Sequence, residues 1–150
     1  MAGASLTWDL AEISASLRAL SRMGADLNPL LHDIGGELED STVMRFDTNI
    51  APDGTPWDPS QHSLDTGMPI LVDTTRLRDS IHPEVFDSAL EVGSNVVYAR
   101  IHQEGGEIEF SMGHTVEMPE RAFLGLSDSD NEAILSIADD HYARAVGASR

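Results

Sequence analysis

The chain contains no cysteine and no lysine. Without thiols it has no disulfide, no zinc–thiolate centre and no cysteine nucleophile. Without lysine it lacks Schiff-base chemistry and the lysine that usually completes a phosphate loop. No apolar run approaches the roughly 18 residues of a membrane span. The N-terminus, Met1 to Leu10, lacks the basic start and apolar block of a signal peptide, so synthesis in the cytoplasm is expected. Internal repeats and low-complexity tracts are also missing.

What is present is acid. Twenty-six Asp and Glu face nine Arg, for a net charge of −17 over 150 residues. Affinity for nucleic-acid phosphates comes from cations that release counterions, so this charge disfavours binding to them; the functional reading is a surface that DNA must pass without sticking. A salt-adapted or GC-rich source gives the same composition. The length suits one domain, 1–150, able to bury roughly 68–70% of its unfolded surface.

Leu6, Leu10, Ile13, Leu17 and Leu20 recur at spacings of four and three, which predicts a helix of about five turns. Asn28-Pro29 reads as a cap and a first-turn proline. Leu31, Ile34 and Leu38 carry a second helix, extended by Val43 and Phe46, so the N-terminal half is expected to be a helical hairpin. Gly35-Gly36 marks either a break or a close approach of another backbone. Residues 49–69 hold Pro52, Gly54, Pro56 and Pro59 and are expected to form a long irregular loop carrying Trp57. Asp73 or Thr74 caps a short helix with Leu77 and Ile81 inside. Val85-Phe86 and Leu90 to Gly93 flank an Asp87-Ser88 turn. Residues 96–103 are ambiguous between strand and helix. Ile108 and Phe110, then Val116 and Met118, alternate with polar residues as a second hairpin with one apolar face. Pro119 stops it, and Ser127 caps a final helix carrying Ile134, Ala138 and Ala145. The fold class is α+β: a helical hairpin, a small antiparallel sheet of about four strands and a C-terminal helix.

Candidate chemistry is thin, and no catalytic, cofactor-binding or metal residue is assigned. His102, Glu104 and His114 are the only set from which a metal-assisted hydrolase could be built, but their spacing is not that of a ligand helix. Glu107, Glu109 and Glu117 fall on a solvated strand face. Ser80, Ser94 and Ser127 lack a nucleophile elbow. Trp57 is a loop aromatic, a residue type enriched at interface hot spots. Among the cations, Arg76, Arg78, Arg100 and Arg121 can pair with carboxylates inside the chain or at a subunit contact. Phe123, in Met118-Pro119-Glu120-Arg121-Ala122-Phe123-Leu124, is an anchor between the last strand and the last helix.

Five segments, in order, carry a resemblance. They are Phe46 with Ala51-Pro52-Asp53-Gly54-Thr55-Pro56-Trp57; Ile70 to Ile81; Val92-Gly93-Ser94 with Tyr98 to Gly106; Met118 to Ser127; and the helix that follows. Together they resemble the phage virion morphogenesis, or tail completion, family of Mu-like tailed phages. Ala122 stands where the family's motif usually has a second proline, and the lysines common in relatives are missing. The resemblance implies a structural, non-enzymatic part of the virion at the head–tail junction, completing the tail and joining it to the capsid. It implies a homo-oligomeric ring, expected as a hexamer, around a channel through which DNA passes without specific binding. Partners would be neck (stopper or adaptor) and tail tube proteins, with no cofactor and no membrane. A tail terminator capping the tube is the alternative role. Trp57, Arg76, Arg78, Arg100, Arg121 and Phe123 are the candidate contacts with a neighbour or another copy.

Overall fold

Strand alternation, not helical spacing, governs the N-terminus of the computed structural model, which describes residues 3–10, 13–67, 70–71, 75–86, 89–109 and 112–148. Ala4, Leu6 and Trp8 turn inward while Ser5 and Thr7 are exposed, and β1 (Ala4–Trp8) runs antiparallel to β3 (Ala89–Ser94) with Leu6 opposite Val92. The expected five-turn helix is therefore a strand followed by a shorter helix, α1 (Ala15–Arg22). Leu6 and Leu10 match a helical spacing only by coincidence. The true start is Ser14, whose hydroxyl accepts from the Leu17 N–H at 3.2 Å and whose backbone is extended.

The second helix, α2 (Asn28–Thr48), runs unbroken through Phe46. Pro29 sits in its first turn as expected, but Asn28 is not the cap: Leu27 holds that position without a side-chain cap bond, and Asp26 accepts from the Asn28 N–H at 3.0 Å in the turn before it. Asn49 ends the helix in the left-handed region, φ 60°. The expected hairpin is not a packed pair: α1 packs chiefly on the last helix, α6 (Asp128–Ala148), whereas α2 lies against both α6 and the three-stranded sheet.

Three short elements follow: α3 (Gln61–Thr66), α4 (Arg76–Asp79) and β2 (His82–Phe86). The 49–69 segment is less irregular than expected, since an Ile50–Pro56 bridge and α3 lie within it. Leu77 and Ile81 are buried, while Asp73, Thr74, Asp87, Ser88 and Phe110 lie outside the described residues. The ambiguous stretch contains a helix, α5 (Ala99–Glu104). The strands form two sheets in place of one. A three-stranded sheet has the order β1-β3-β2, and β4 (Gly106–Glu109) pairs with β5 (Thr115–Met118) as a separate hairpin. Among the described residues, no helix is long and apolar enough to cross a membrane.

The core lies where α2 crosses β2 and β3 and meets α6. Ile34, Leu90, Val92, Phe46, Phe123 and Ile134 are each at most 1% exposed. Each buried aliphatic or Phe side chain of this size contributes about 1.5–3 kcal/mol. Gly35 explains the close fit of helix on sheet: a Cβ there would stand 3.0 Å from Pro83 Cβ and 3.1 Å from Leu90 Cδ1. Gly36 faces open space. The pair therefore predicts opposite outcomes in chemical denaturation. Gly35→Ala is expected to cost up to about 2 kcal/mol net, overpacking of about 1–3 kcal/mol less a helix-propensity gain of up to about 1 kcal/mol, whereas Gly36→Ala keeps that gain whole. Equal effects at the two positions would contradict the packing described.

Candidate functional site

Between β5 and α6 the chain runs without regular structure from Pro119 to Ser127, yet Arg121, Phe123 and Leu124 are buried there. Backbone amides in such a place need partners. Side chains from three other parts of the fold provide them. From α5, Gln103 uses both ends of its amide: Oε1 accepts from the Phe123 and Leu124 N–H groups at 3.0 and 2.9 Å, and Nε2 donates to the Leu124 carbonyl at 3.1 Å. From the 49–69 segment, Trp57 Nε1 donates to the Ala122 carbonyl at 2.9 Å. From α2, Arg45 Nη1 donates to the Phe123 carbonyl at 2.8 Å.

Arg45 also pairs with Asp130, and both side chains are almost fully buried. Burial pulls the Arg45 pKa below its usual value, and Asp130 opposes the shift. Asp130 is the hub of the arrangement. Its carboxylate accepts from Arg45, from the Ser41 hydroxyl and from the Ser127 N–H, while its own N–H donates to Ser127 Oγ at 3.0 Å. The last two bonds form a reciprocal capping box that starts α6. One carboxylate thus fixes the first turn of α6, the end of α2 and the segment between them.

Aromatic packing closes the same region. Phe46 stands edge-on to Trp57, centroids 5.6 Å apart at 75°, and tilted to Phe123 at 5.6 Å and 48°. Gly125, at φ 153°, lets Pro52 approach: a Cβ at Gly125 would stand 2.9 Å from Pro52 Cγ. Asp53 accepts from the Thr55 N–H at 2.9 Å and so shapes the Asp-Gly-Thr turn; that bond lowers its pKa. A hollow of about 450 Å³ lies between the turn and the junction, bounded by Pro52, Asp53, Trp57, Gln103 and Leu124.

The six contact candidates divide into two groups. Trp57, Arg121 and Phe123 come together at the junction, and all three are buried within the protomer. Arg121 Nε donates to the Asp58 carbonyl at 2.8 Å, tying the 49–69 segment to the junction a second time. Burial lowers the Arg121 pKa, with Asp58 opposing. Trp57 is therefore a core residue in an irregular segment. Arg76, Arg78 and Arg100 lie elsewhere. Arg76 is exposed over the Tyr98 ring at 5.8 Å, Arg78 pairs with Asp47 at 3.4 Å, and Arg100 pairs with Glu104 at 3.1 Å one helical turn away. The Arg78–Asp47 and Arg100–Glu104 pairs, being largely exposed, contribute about 0–1 kcal/mol each.

Sequence reasoning passed over Arg45 and Gln103. Arg45 had a signal, since it continues the Leu31–Leu38 row at the same interval of seven, where an arginine has to be paired. Gln103 had none. The serines have structural duties: Ser80 and Ser94 share a hydrogen bond at 2.6 Å, and Ser94 Oγ accepts from the Val96 N–H. Glu107, Glu109 and Glu117 are exposed as expected. His102, Glu104 and His114 do not assemble, and among the described residues no three His, Asp or Glu side chains are grouped as metal ligands.

His102 instead sits edge-on to Tyr98, and its Nδ1 is enclosed without a hydrogen-bond partner. Burial and then the charge of Arg121 lower its pKa from 6.5. The unfolded chain therefore takes up this proton first as pH falls. Stability is unaffected above pH 6.5 and declines below it, levelling off under the folded pKa. Urea titrations at pH 7.5 and 5 are expected to show a larger loss for the native chain than for His102→Leu. Equal losses would contradict this environment.

The profile of the phage virion morphogenesis family matches residues 8–143, a span that runs from the last residue of β1 through the whole junction and most of α6. A curated relative, the Mu-like prophage FluMu G protein 2 of Haemophilus influenzae, is 34% identical over 131 residues, covering 87% of this chain and 89% of the relative. No solved structure matches the chain. The junction residues thus lie within a span shared with known proteins, and the chain belongs to the phage virion morphogenesis family.

Proposed function

We propose that this protein completes the phage tail and joins it to the capsid, working as a homo-oligomeric ring of about six copies around the DNA channel. The observation that carries the reading is the family match across nearly the whole chain, with a Mu-like prophage protein among its relatives. The architecture supports it. Polar side chains at the junction are engaged in holding backbone, which suits a rigid part. Six copies at −17 each bring about −100 charges to the ring, a field that keeps DNA sliding. In this reading the part resides in the virion, next to neck and tail tube proteins, and is not an enzyme.

Removal of the gene tests the role. Electron micrographs of the lysate are expected to show filled heads and tails of normal length that remain separate. Tails of uncontrolled length would assign tail termination instead, and infectious particles of normal appearance would overturn both.

A further inference from the structure

Two surface hollows meet at Ala51, just after α2 gives way to the 49–69 segment. One is the hollow of about 450 Å³ at the junction. The other, of about 380 Å³, lies along the second half of α2, beside the start of α6. Its wall follows from the sequence. Glu37, Asp40, Met44 and Thr48 recur at spacings of three and four, so they share one face of α2. Two large apolar side chains are left in water there: Met44 is 58% exposed and Ile50 is 40% exposed, and both line this second hollow. Apolar side chains gathered in a polar-rimmed depression mark a contact surface, and methionine adapts to partners of varied shape.

The rim is acidic throughout. Glu37 and Asp40 line the second hollow, Asp53 and Glu120 the first, and all four are exposed. Among the described residues none of the four has an ion-pair partner. Arg45 is the one cation among the described residues that line either hollow, and it is buried and paired with Asp130. Arg78 stands outside both linings and is paired with Asp47. Glu37 and Asp40, one turn apart on α2, repel each other, so a cation brought to this face relieves a cost that the lone protomer carries. A second copy is ill suited to bring it. The chain has no lysine and a charge of −17, Arg45 and Arg121 are buried, and Arg78 and Arg100 already have carboxylate partners.

We infer that this surface docks a basic segment of a different protein of the particle, with an apolar side chain seated on Met44 and Ile50 and flanking Lys or Arg residues facing Glu37, Asp40, Asp53 and Glu120. Opposite charge on the two partners sets orientation and excludes acidic competitors, nucleic acid among them. From Glu37 to Thr48 the face is about 16 Å long at about 1.5 Å per residue, room for about three turns of a helix or five residues of extended chain. The inference rests on the reading of this chain as a virion part, not on the number of copies, and it names the chemistry of a neighbour.

Photochemical capture in particles tests it. The chain with p-benzoylphenylalanine in place of Met44 is supplied as the sole source of the protein, and purified particles are irradiated; position 48 is used if that variant forms no particles. Mass spectrometry is expected to find the cross-link in another virion protein, within a segment where Lys and Arg outnumber Asp and Glu. Glu37→Arg/Asp40→Arg in the same background is expected to lower the cross-link several-fold per incorporated copy, with Glu37→Gln/Asp40→Gln in its place if the reversed chain does not enter particles. The control Glu107→Arg/Glu117→Arg is expected to leave the cross-link unchanged. A cross-link to a second copy, to DNA or to an acidic or uncharged segment overturns the inference. So does the lack of any cross-link in particles that contain the chain, or an equal response to the two pairs of substitutions. Particles that are infectious without the chain overturn the virion reading and the inference with it.

Discussion

Asp130→Ala lowers stability by about 3–5 kcal/mol, the cost of leaving one member of a buried ion pair without its partner. Arg45 is then left charged with only the Ser41 hydroxyl and the Phe123 carbonyl, and the capping box of α6 is gone. In a chain of this length the melting temperature falls by on the order of 10 °C. Arg45→Met is expected to cost a similar amount, because it strands Asp130 and the Phe123 carbonyl together. The double variant Arg45→Met/Asp130→Leu loses less than the sum of the two, with a coupling of about 0.5–3 kcal/mol. Urea denaturation of the four proteins measures that coupling. Strict additivity would show that the two side chains do not act as a buried pair.

Phe123→Ala is the second large effect, about 3–5 kcal/mol from loss of a fully buried ring and the cavity left behind. The ring meets Phe46, which in turn meets Trp57, so the damage spreads to the 49–69 segment. Trp57→Ala is expected to destabilise the protomer by a comparable amount, since it removes both an aromatic contact and the hydrogen bond to Ala122. The losses at Phe123 and Trp57 combine non-additively, because both rings share Phe46 as partner. A Phe123→Ala protein with an unchanged melting temperature would contradict the packing of the junction. A Trp57→Ala protein with full stability and poor incorporation into particles would return Trp57 to the surface role that its loop position suggests.

The parts of the fold legible in the sequence are those in which one local signal dominates. Ser127 marked the start of α6, whereas the Gly pair in α2 left a break and a close approach of another backbone both open, and what Gly35 meets is the side chains of Pro83 and Leu90 in an unbroken helix. The N-terminus misled because Leu6 and Leu10 satisfy a helical spacing while Ala4 to Trp8 also alternate, and the alternation won once β3 offered a ladder. Tertiary pairing of this kind overrides local preference. Trp57 misled for a related reason. Proline and glycine around it announce a loop, but they do not say that Phe46 and the Ala122 carbonyl lie under it.

The junction was legible as a place and not as a mechanism. Pro119, Phe123 and Gly125 mark a bend with an anchor, and one of the five segments that carry the resemblance lies there. That Gln103, Arg45 and Trp57 supply the hydrogen bonds of its backbone is a three-dimensional fact, carried by residues 16 or more positions away in sequence. Buried backbone with no strand or helix to satisfy it needs such donors and acceptors from outside, so the requirement could be stated from the sequence even though the residues that meet it could not.

The position of the protein in the particle tests the account most directly. A cryo-EM map of intact virions, at a resolution sufficient to fit α2 and α6, is predicted to place copies of this chain in a closed ring around the DNA channel, between the portal and the tail tube. Density for the chain inside the capsid or at the distal tail tip would contradict it.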